Sequence, residues 1–328
     1  MVNEKKSSLL YVLDILTQYT DSKHCLTYNA IGEKLKNIYD IEIERKTIAR
    51  DIDILINKGY DIIKRGNYGV YLASRKFEEG ELLYLIDAIY SSRSMPTKYA
   101  KDLVSKLTDD HSIYDKKRFN YLEKLDDESG ANNKQLFYTI EVLNEAIEQG
   151  KKVEFQYTAY GINKKLELKY DGKKFKISPY FMVNNHGKYY LVCNYDKYDN
   201  LANYKIESIS NIQILDEPVR KLNELPNNQN FSIKQYIKEH VYMVSGNSVN
   251  ATIKIDSPKR INDIISWFGE DLSLYTKDGT VFANLNINED ALVYWALQYG
   301  EHVEITEPQS TRQKIKNILS NLNNKYGV

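Results

Sequence analysis

The chain has 328 residues, and its 45 lysines and arginines balance its 45 aspartates and glutamates. That length suffices for two or three domains, and the zero net charge argues against binding to polyanions through bulk charge. No apolar run approaches the roughly 20 residues that span a bilayer. Cys25 and Cys193, the two cysteines, exclude a disulfide framework and a cysteine zinc cluster. The sequence therefore predicts a globular, cytoplasmic protein that does not insert into membranes.

Residues 1–74 carry the pattern of three helices followed by a hairpin. Apolar residues recur with the helical period over Leu9–Leu16, and Thr27 is suited to cap a second helix. A third helix is expected over about 44–58. The following "YDIIKRGNYGVYL" predicts two strands that turn at 66–69. This order of elements is typical of a winged helix-turn-helix.

The third predicted helix separates its charges from its apolar face. Helical projection places Ile48, Ile52, Leu55 and Ile56 inward and turns the basic side chains outward. Arginine and lysine can donate to guanine, threonine can contact the thymine methyl group, and cations on a wing can bind phosphates. The candidate DNA contacts are Arg45, Lys46, Thr47, Arg50, Lys64 and Arg65. Asp51 and Asp53 are expected to leave this patch uncancelled. The alternative is an ordinary solvated helix face.

The rest of the chain divides into three predicted segments. Residues 75–137 form a helical linker that is also a candidate dimerisation region. Residues 138–221 open on a helix and continue as short alternating strands, which predicts a small β-rich domain. Residues 222–328 contain a polar linker and a compact α+β domain.

The β-rich segment concentrates basic residues. Residues 151–188 hold nine lysines and three acidic residues, interleaved with aromatic side chains. Such a surface can stack bases and neutralise phosphates. The alternative is that the lysines protect exposed sheet edges against pairing with other chains. The pattern alone leaves both interpretations open.

Three stretches resemble one known family. "ERKTIARDIDILINKGYDIIKRGNYGVYL" resembles the winged helix of WYL-domain transcriptional regulators, and "YYLVCNYDKYDNLANYKIESI" resembles the WYL signature. "WALQYGEHVEITEPQSTRQKIKNIL" resembles the family's C-terminal extension. The resemblance implies an α+β multidomain fold. Its parts are an N-terminal winged helix-turn-helix, a helical linker, an Sm-like β-barrel WYL domain and a C-terminal α+β extension domain.

The resemblance also implies an effector that binds the WYL domain, with nucleotides or nucleic acid fragments as the suspected class. The positions that match the family's binding residues are Tyr157, Lys176, Tyr189, Tyr190, Lys205 and Ser208. Lys205 and Ser208 stand where the family carries arginine. This departure weakens anion binding, because lysine is a point charge and serine carries none.

The sequence offers no catalytic motif. Its five histidines do not form a metal-binding spacing, and there is no P-loop, GxGxxG or GxSxG. We therefore expect no enzymatic activity, no cofactor and no metal. We expect a homodimeric regulator that binds double-stranded operator DNA at an inverted repeat, a repressor rather than an activator. The alternative is a nucleic-acid-binding accessory protein without promoter specificity, acting in phage defence or nucleic-acid processing.

Overall fold

A computed structural model divides the chain into two compact units, Met1–Gly130 and Ala131–Val328. The structure describes residues 4–92, 95–119, 134–226, 228 and 231–327, so part of the predicted linker lies outside the described residues. Within those ranges, no helix is both long and apolar enough to cross a bilayer.

The N-terminal unit begins with three helices and a two-stranded hairpin, and further helices follow. The helices are α1 (Glu4–Tyr19), α2 (Tyr28–Tyr39), α3 (Arg45–Asn57), α4 (Glu79–Ser91), α5 (Thr97–Leu107) and α6 (Ile113–Phe119). The strands are β1 (Ile62–Lys64) and β2 (Val70–Leu72). The predicted order of three helices and a hairpin is therefore present.

The first three helices share one core because each contributes one apolar face. Ile48, Ile52 and Leu55 of α3 are buried together with apolar residues of α1 and α2, as the projection predicted. Thr27 caps α2, since its side chain accepts a hydrogen bond from the backbone N–H of Ala30. Burial of these faces fixes the direction in which the opposite face of α3 points.

A close backbone contact fixes the hairpin. Leu26, in the loop before α2, exchanges two backbone hydrogen bonds with Val70 of β2, at 2.9 and 2.8 Å. Gly69 precedes this bridge with a φ of 104°. A Cβ added at Gly69 would lie 2.1 Å from the carbonyl oxygen of Leu26. Only glycine satisfies both the backbone angle and the spacing.

The C-terminal unit contains two antiparallel sheets with helices. Its helices are α7 (Lys134–Gln149), α8 (Ile233–Glu239), α9 (Ile261–Phe268), α10 (Glu289–Gln298) and α11 (Gln309–Tyr326). Its strands are β3 (Lys151–Tyr160), β4 (Leu166–Leu168), β5 (Lys174–Asn185), β6 (Lys188–Asn194), β7 (Leu201–Lys205), β8 (Ile209–Pro218), β9 (Ser248–Ile255), β10 (Ser273–Lys277), β11 (Thr280–Asn288) and β12 (Val303–Glu307).

The first of these sheets is open, so the predicted Sm-like barrel is wrong. Its strands follow the order β8, β3, β5, β6, β7, and β4 also pairs with β3. Among the described strands no ladder joins β7 to β8, which follow one another through a short 3-10 turn at Ile206–Ser208. Because other elements pack on this sheet, its apolar side chains are buried without closure into a barrel.

Both faces of the open sheet are covered. On one face, Leu143 and Ala146 of α7 pack against a core that includes Phe155 and Leu191. The other face carries Tyr190 and its neighbours, and described residues between 219 and 247, among them Leu225, Tyr236 and Met243, pack against it. This connecting segment (residues 219–247) contains α8 and leads into the second sheet.

The second sheet has the strand order β10, β11, β9, β12. Its core is formed with α9 and α10, and the side chain of Trp295 is fully buried there. The predicted compact α+β arrangement of this segment is therefore present.

Replacing Gly69 with alanine tests the contact that fixes the hairpin. We expect Gly69→Ala to lower the free energy of unfolding by clearly more than Gly66→Ala. Both glycines have positive φ, but a Cβ at Gly66 meets nothing within 4 Å. The control should cost only the backbone strain, about 1–2 kcal/mol. Urea denaturation followed by circular dichroism measures both, and equal losses would contradict the steric argument.

Candidate nucleic-acid interface

Helix α3 presents a basic stripe to solvent. Arg45, Lys46 and Arg50 are exposed, and Thr47 is half-buried beside them. The guanidinium of Arg45 lies 6.0 Å from the ring centroid of Tyr28, at the start of α2. The four predicted residues of α3 therefore lie together on the part of the helix that faces away from the core.

The two predicted wing cations lie on different sides of the wing. Lys64 turns toward α3, and its Nζ lies 2.6 Å from Oδ1 of Asp53. Arg65 donates from Nη1 to the carbonyl oxygen of Ser22 at 2.8 Å, and its guanidinium lies 4.9 Å from the ring of Tyr71. Of the two, Lys64 therefore joins the surface of α3, whereas Arg65 turns toward the loop that contains Ser22.

A groove of about 470 Å³ separates the wing from the helices. It is lined by Thr27, Tyr28, Asn29, Arg45, Lys64, Gly66, Asn67, Gly69 and Val70. Arg45 and Lys64 line it, and it lies at the start of α2, where the helix dipole is positive. This combination favours an anion such as a backbone phosphate.

The two acidic residues of α3 have different roles. Asp51 is only 3% exposed, and its Oδ2 accepts a hydrogen bond from the hydroxyl of Ser8 at 2.6 Å. It therefore serves the core and leaves the patch unaffected. Asp53 is exposed and pairs with Lys64, and this hydrogen bond raises the pKa of Lys64. Asp53 thus neutralises a cation of the wing, while its described ion pair involves none of the basic residues of α3.

Several interface residues escaped the sequence reasoning. Tyr28 and Asn29 line the groove beside Arg45, and Tyr68 at the wing tip is 79% exposed. Asp53 was named from the sequence, and positions 46, 50 and 53 share one stripe of a helix. Its pairing with Lys64 was not predicted, because that contact depends on how the hairpin folds back.

In the sheet under α7, part of the predicted effector set lies together. The phenol of Tyr157 has hydrogen-bond partners in the side chain of Ser208 and the backbone of Lys205. Burial raises the pKa of Tyr157, and the charge of Glu207 acts in the same direction. Glu207 was not predicted, and its carboxylate opposes an anionic ligand at this point.

The other predicted effector residues lie elsewhere. Tyr190 is opposite Lys205 in the β6–β7 ladder and is buried on the face that the connecting segment covers. Tyr189, the preceding residue of β6, faces the other way and is 37% exposed. Lys176 is exposed and binds both carboxylate oxygens of Glu217, at 2.8 and 2.9 Å. The structure does not place the six side chains on one surface.

The fold thus defines a class of protein: an N-terminal winged helix combined with an α+β unit of two sheets. Comparison with known families makes the assignment specific. The family model of the WYL domain matches residues 138–214, and that of the WCX domain matches residues 247–322. The chain therefore contains a WYL domain and a C-terminal WCX domain, and the resemblance seen in the sequence is confirmed.

Relatives of this chain include the uncharacterized HTH-type transcriptional regulator YobV of Bacillus subtilis (strain 168). It is 24% identical over 305 residues, which cover 87% of this chain and 90% of YobV. Among solved structures, the proteasome accessory factor B/C (PafBC) of Arthrobacter aurescens is 15% identical, with a TM-score of 0.31. The match covers 96% of this chain and 47% of PafBC. A CRISPR Cas-related protein of known structure is 15% identical, with a TM-score of 0.39. The match covers 99% of this chain and 84% of that protein.

The Asp53–Lys64 pair generates a prediction about charge. We expect Asp53→Asn to strengthen binding to duplex DNA of arbitrary sequence, because Lys64 is released to contact a phosphate. The slope of log K against log salt should steepen by about one contact, roughly 0.9. Fluorescence anisotropy at several salt concentrations measures this slope. Asp87→Asn, an exposed change of equal charge on α4, is the control. An identical gain in both variants would show that only net charge matters.

Proposed function

We propose that this protein is a sequence-specific DNA-binding transcription regulator. The observation that carries the proposal is the exposed basic stripe of α3 beside a groove that the wing completes. The WYL and WCX domains and the similarity to a protein named as an HTH-type transcriptional regulator support it.

In the proposed complex, α3 enters the major groove. Lys46 and Arg50 project from the centre of its exposed stripe and donate to base edges, where guanine offers two acceptors. Thr47 lies beside them and can contact a thymine methyl group. Arg45, Lys64 and the start of α2 surround the groove and bind a phosphate, which sets the register of α3 on the duplex.

The balance of charge gives the proposed interface its selectivity. In a chain with zero net charge, bulk attraction to DNA is small. Asp53 reduces it further by holding Lys64 in an ion pair, which a correctly placed phosphate has to displace. Binding then depends on base contacts that only the matching sequence provides.

We also propose that the protein acts as a homodimeric repressor. Two-fold symmetry would place two winged helices on an inverted repeat, with half-sites about 34 Å apart or a multiple of that distance. An effector bound at the WYL domain would change operator affinity by preferring one arrangement of the dimer. This role requires DNA binding and effector binding, and no catalytic site.

The effector proposal centres on Tyr157, Ser208 and Lys205. Tyr157 offers an aromatic ring with a hydroxyl group, and Ser208 adds a second hydroxyl, which suits a nucleotide or a short nucleic acid fragment. Because Glu207 opposes negative charge there, we expect weak, salt-sensitive binding. Short single-stranded DNA, titrated into the full chain at low salt, should bind, and Tyr157→Ala should weaken that binding. No binding at low salt would eliminate the nucleic-acid effector.

A gel-shift competition tests the regulator proposal. The protein should retain DNA from upstream of its own gene in the presence of excess unrelated duplex at moderate salt. An accessory protein without promoter specificity would instead be displaced by the competitor. Retention of every duplex with equal affinity would contradict the proposed sequence-specific role.

The contribution of Arg50 can be measured on the same DNA. We expect Arg50→Ala to weaken specific binding by about 1–3 kcal/mol, because a base-contacting donor is lost. Lys58→Ala removes an exposed positive charge at the end of the same helix and lies off the stripe. It should change specific binding much less. An Arg50→Ala protein with unchanged affinity and base preference would show that α3 is not the recognition helix.

A further inference from the structure

The C-terminal unit contains a cleft of about 770 Å³ that the regulator proposal does not use. Its walls come from the β6–β7 turn of the WYL domain, from the connecting segment and from the start of β9. The lining residues are Tyr198, Asp199, Asn200, Leu201, Pro226, Asn228, Tyr236, Glu239, His240, Gly246, Asn247 and Ser248. The volume is within the range of small-molecule sites, roughly 300–1,000 Å³.

The cleft lies at the opposite end of the β6–β7 hairpin from the predicted effector residues Tyr190 and Lys205. Asn194 and Leu201 pair at the cleft end of this ladder, whereas Tyr190 and Lys205 pair at the other end. The cleft is therefore a separate place from the proposed effector site, and each can be changed without the other.

The floor of the cleft is buried and aromatic. Tyr236 and His240 are one helical turn apart on α8, and their rings stack with centroids 3.9 Å apart. Nδ1 of His240 lies 2.9 Å from the carbonyl oxygen of Tyr236, so Nδ1 carries the proton. Burial lowers the pKa of His240, whereas hydrogen bonds to the carbonyls of Tyr236 and Gly246 act in the opposite direction. Burial of the floor therefore favours the neutral imidazole.

The two carboxylates at the cleft are already satisfied. Asp199 accepts a hydrogen bond from Nη2 of Arg220 at 2.7 Å. Glu239 accepts from three neutral groups: Gln235 Nε2 at 2.8 Å, Asn286 Nδ2 at 2.7 Å and Ser248 Oγ at 2.6 Å. Among the described lining residues there is no lysine or arginine. The cleft therefore neither needs a cation nor favours an anion.

Amide groups supply the remaining polarity. Asn200, Asn228 and Asn247 line the cleft, and their amide groups can both donate and accept hydrogen bonds. Two further asparagines fix its walls: Asn203, which is half-buried, accepts from the hydroxyl of Tyr236, and the buried Asn194 donates to the carbonyls of Tyr198 and Asn200. The polar groups offered to a ligand are therefore mainly uncharged amides.

We propose that this cleft binds a neutral, polyhydroxylated molecule of the size of a mono- or disaccharide. Hydroxyl groups both donate and accept, which suits a wall of amides, satisfied carboxylates and a neutral imidazole. The C–H face of a sugar ring can pack on Tyr198, which is 53% exposed at the rim. Because the walls come from the WYL domain and from the start of the WCX sheet, the ligand would bridge these two domains.

Calorimetric titration of the full-length protein tests the proposal. The probes are glucose, ribose and maltose, with glucose 6-phosphate as the charged counterpart. At least one neutral sugar should bind at millimolar concentration, and glucose 6-phosphate should bind more weakly than glucose. Tyr198→Ala should weaken the binding at least tenfold. Tyr294→Ala, which removes a tyrosine that is 59% exposed on α10, should leave it unchanged.

The proposal is overturned if none of the neutral sugars binds, if glucose 6-phosphate binds more tightly than glucose, or if Tyr198→Ala binds as the unaltered protein does. Tyr198 is a rim residue, so its removal should leave the fold intact, and an unchanged melting temperature without ligand verifies this. Arg50→Ala and Tyr157→Ala should bind the sugar normally. Loss of DNA binding or of effector binding is therefore distinguishable from failure of this inference.

Discussion

The candidate interface depends on the close approach of two backbones at Leu26 and Gly69. Two hydrogen bonds between Leu26 and Val70 attach the hairpin to the loop before α2, and the spacing leaves no room for a side chain at Gly69. This contact sets the distance between the wing and α3. It thereby places Lys64 across a groove from Arg45 and next to Asp53. The chemistry of the surface follows from a backbone constraint that involves no charged residue.

The protein has no net charge, so the charge of each surface depends on which side chains are paired. The buried Asp51 is compensated by Ser8, and the exposed Asp53 by Lys64, while Lys46 and Arg50 remain available on the stripe. Some lysines of the WYL domain are similarly engaged, since Lys174 pairs with Glu154 and Lys176 with Glu217. A basic segment in a sequence is therefore a weak guide to a basic surface. The pairing partners of its lysines are distant in the chain, and each exposed pair contributes little stability.

Periodicity and capping were enough to predict the local elements. The inward face of α3, the cap at Thr27 and the hairpin all follow from residues close together in sequence. The open sheet could not be predicted in this way, because closure depends on which strands pair, and β8 pairs with β3 rather than with β7. The separation of Tyr189 from Tyr190 follows from strand alternation, but the burial of Tyr190 requires the connecting segment, which is remote in sequence. Motif resemblance predicted the domains and not the arrangement of their side chains.

The central claim is that α3 lies in the major groove with its basic stripe on base edges. Dimethyl sulfate methylates guanine N7 in that groove, so protection of guanines in a complex with upstream DNA measures the contact directly. The account predicts protected guanines in two symmetric half-sites, with protection reduced in the Arg50→Ala complex. A stable, sequence-specific complex in which every guanine N7 remains fully reactive would contradict it.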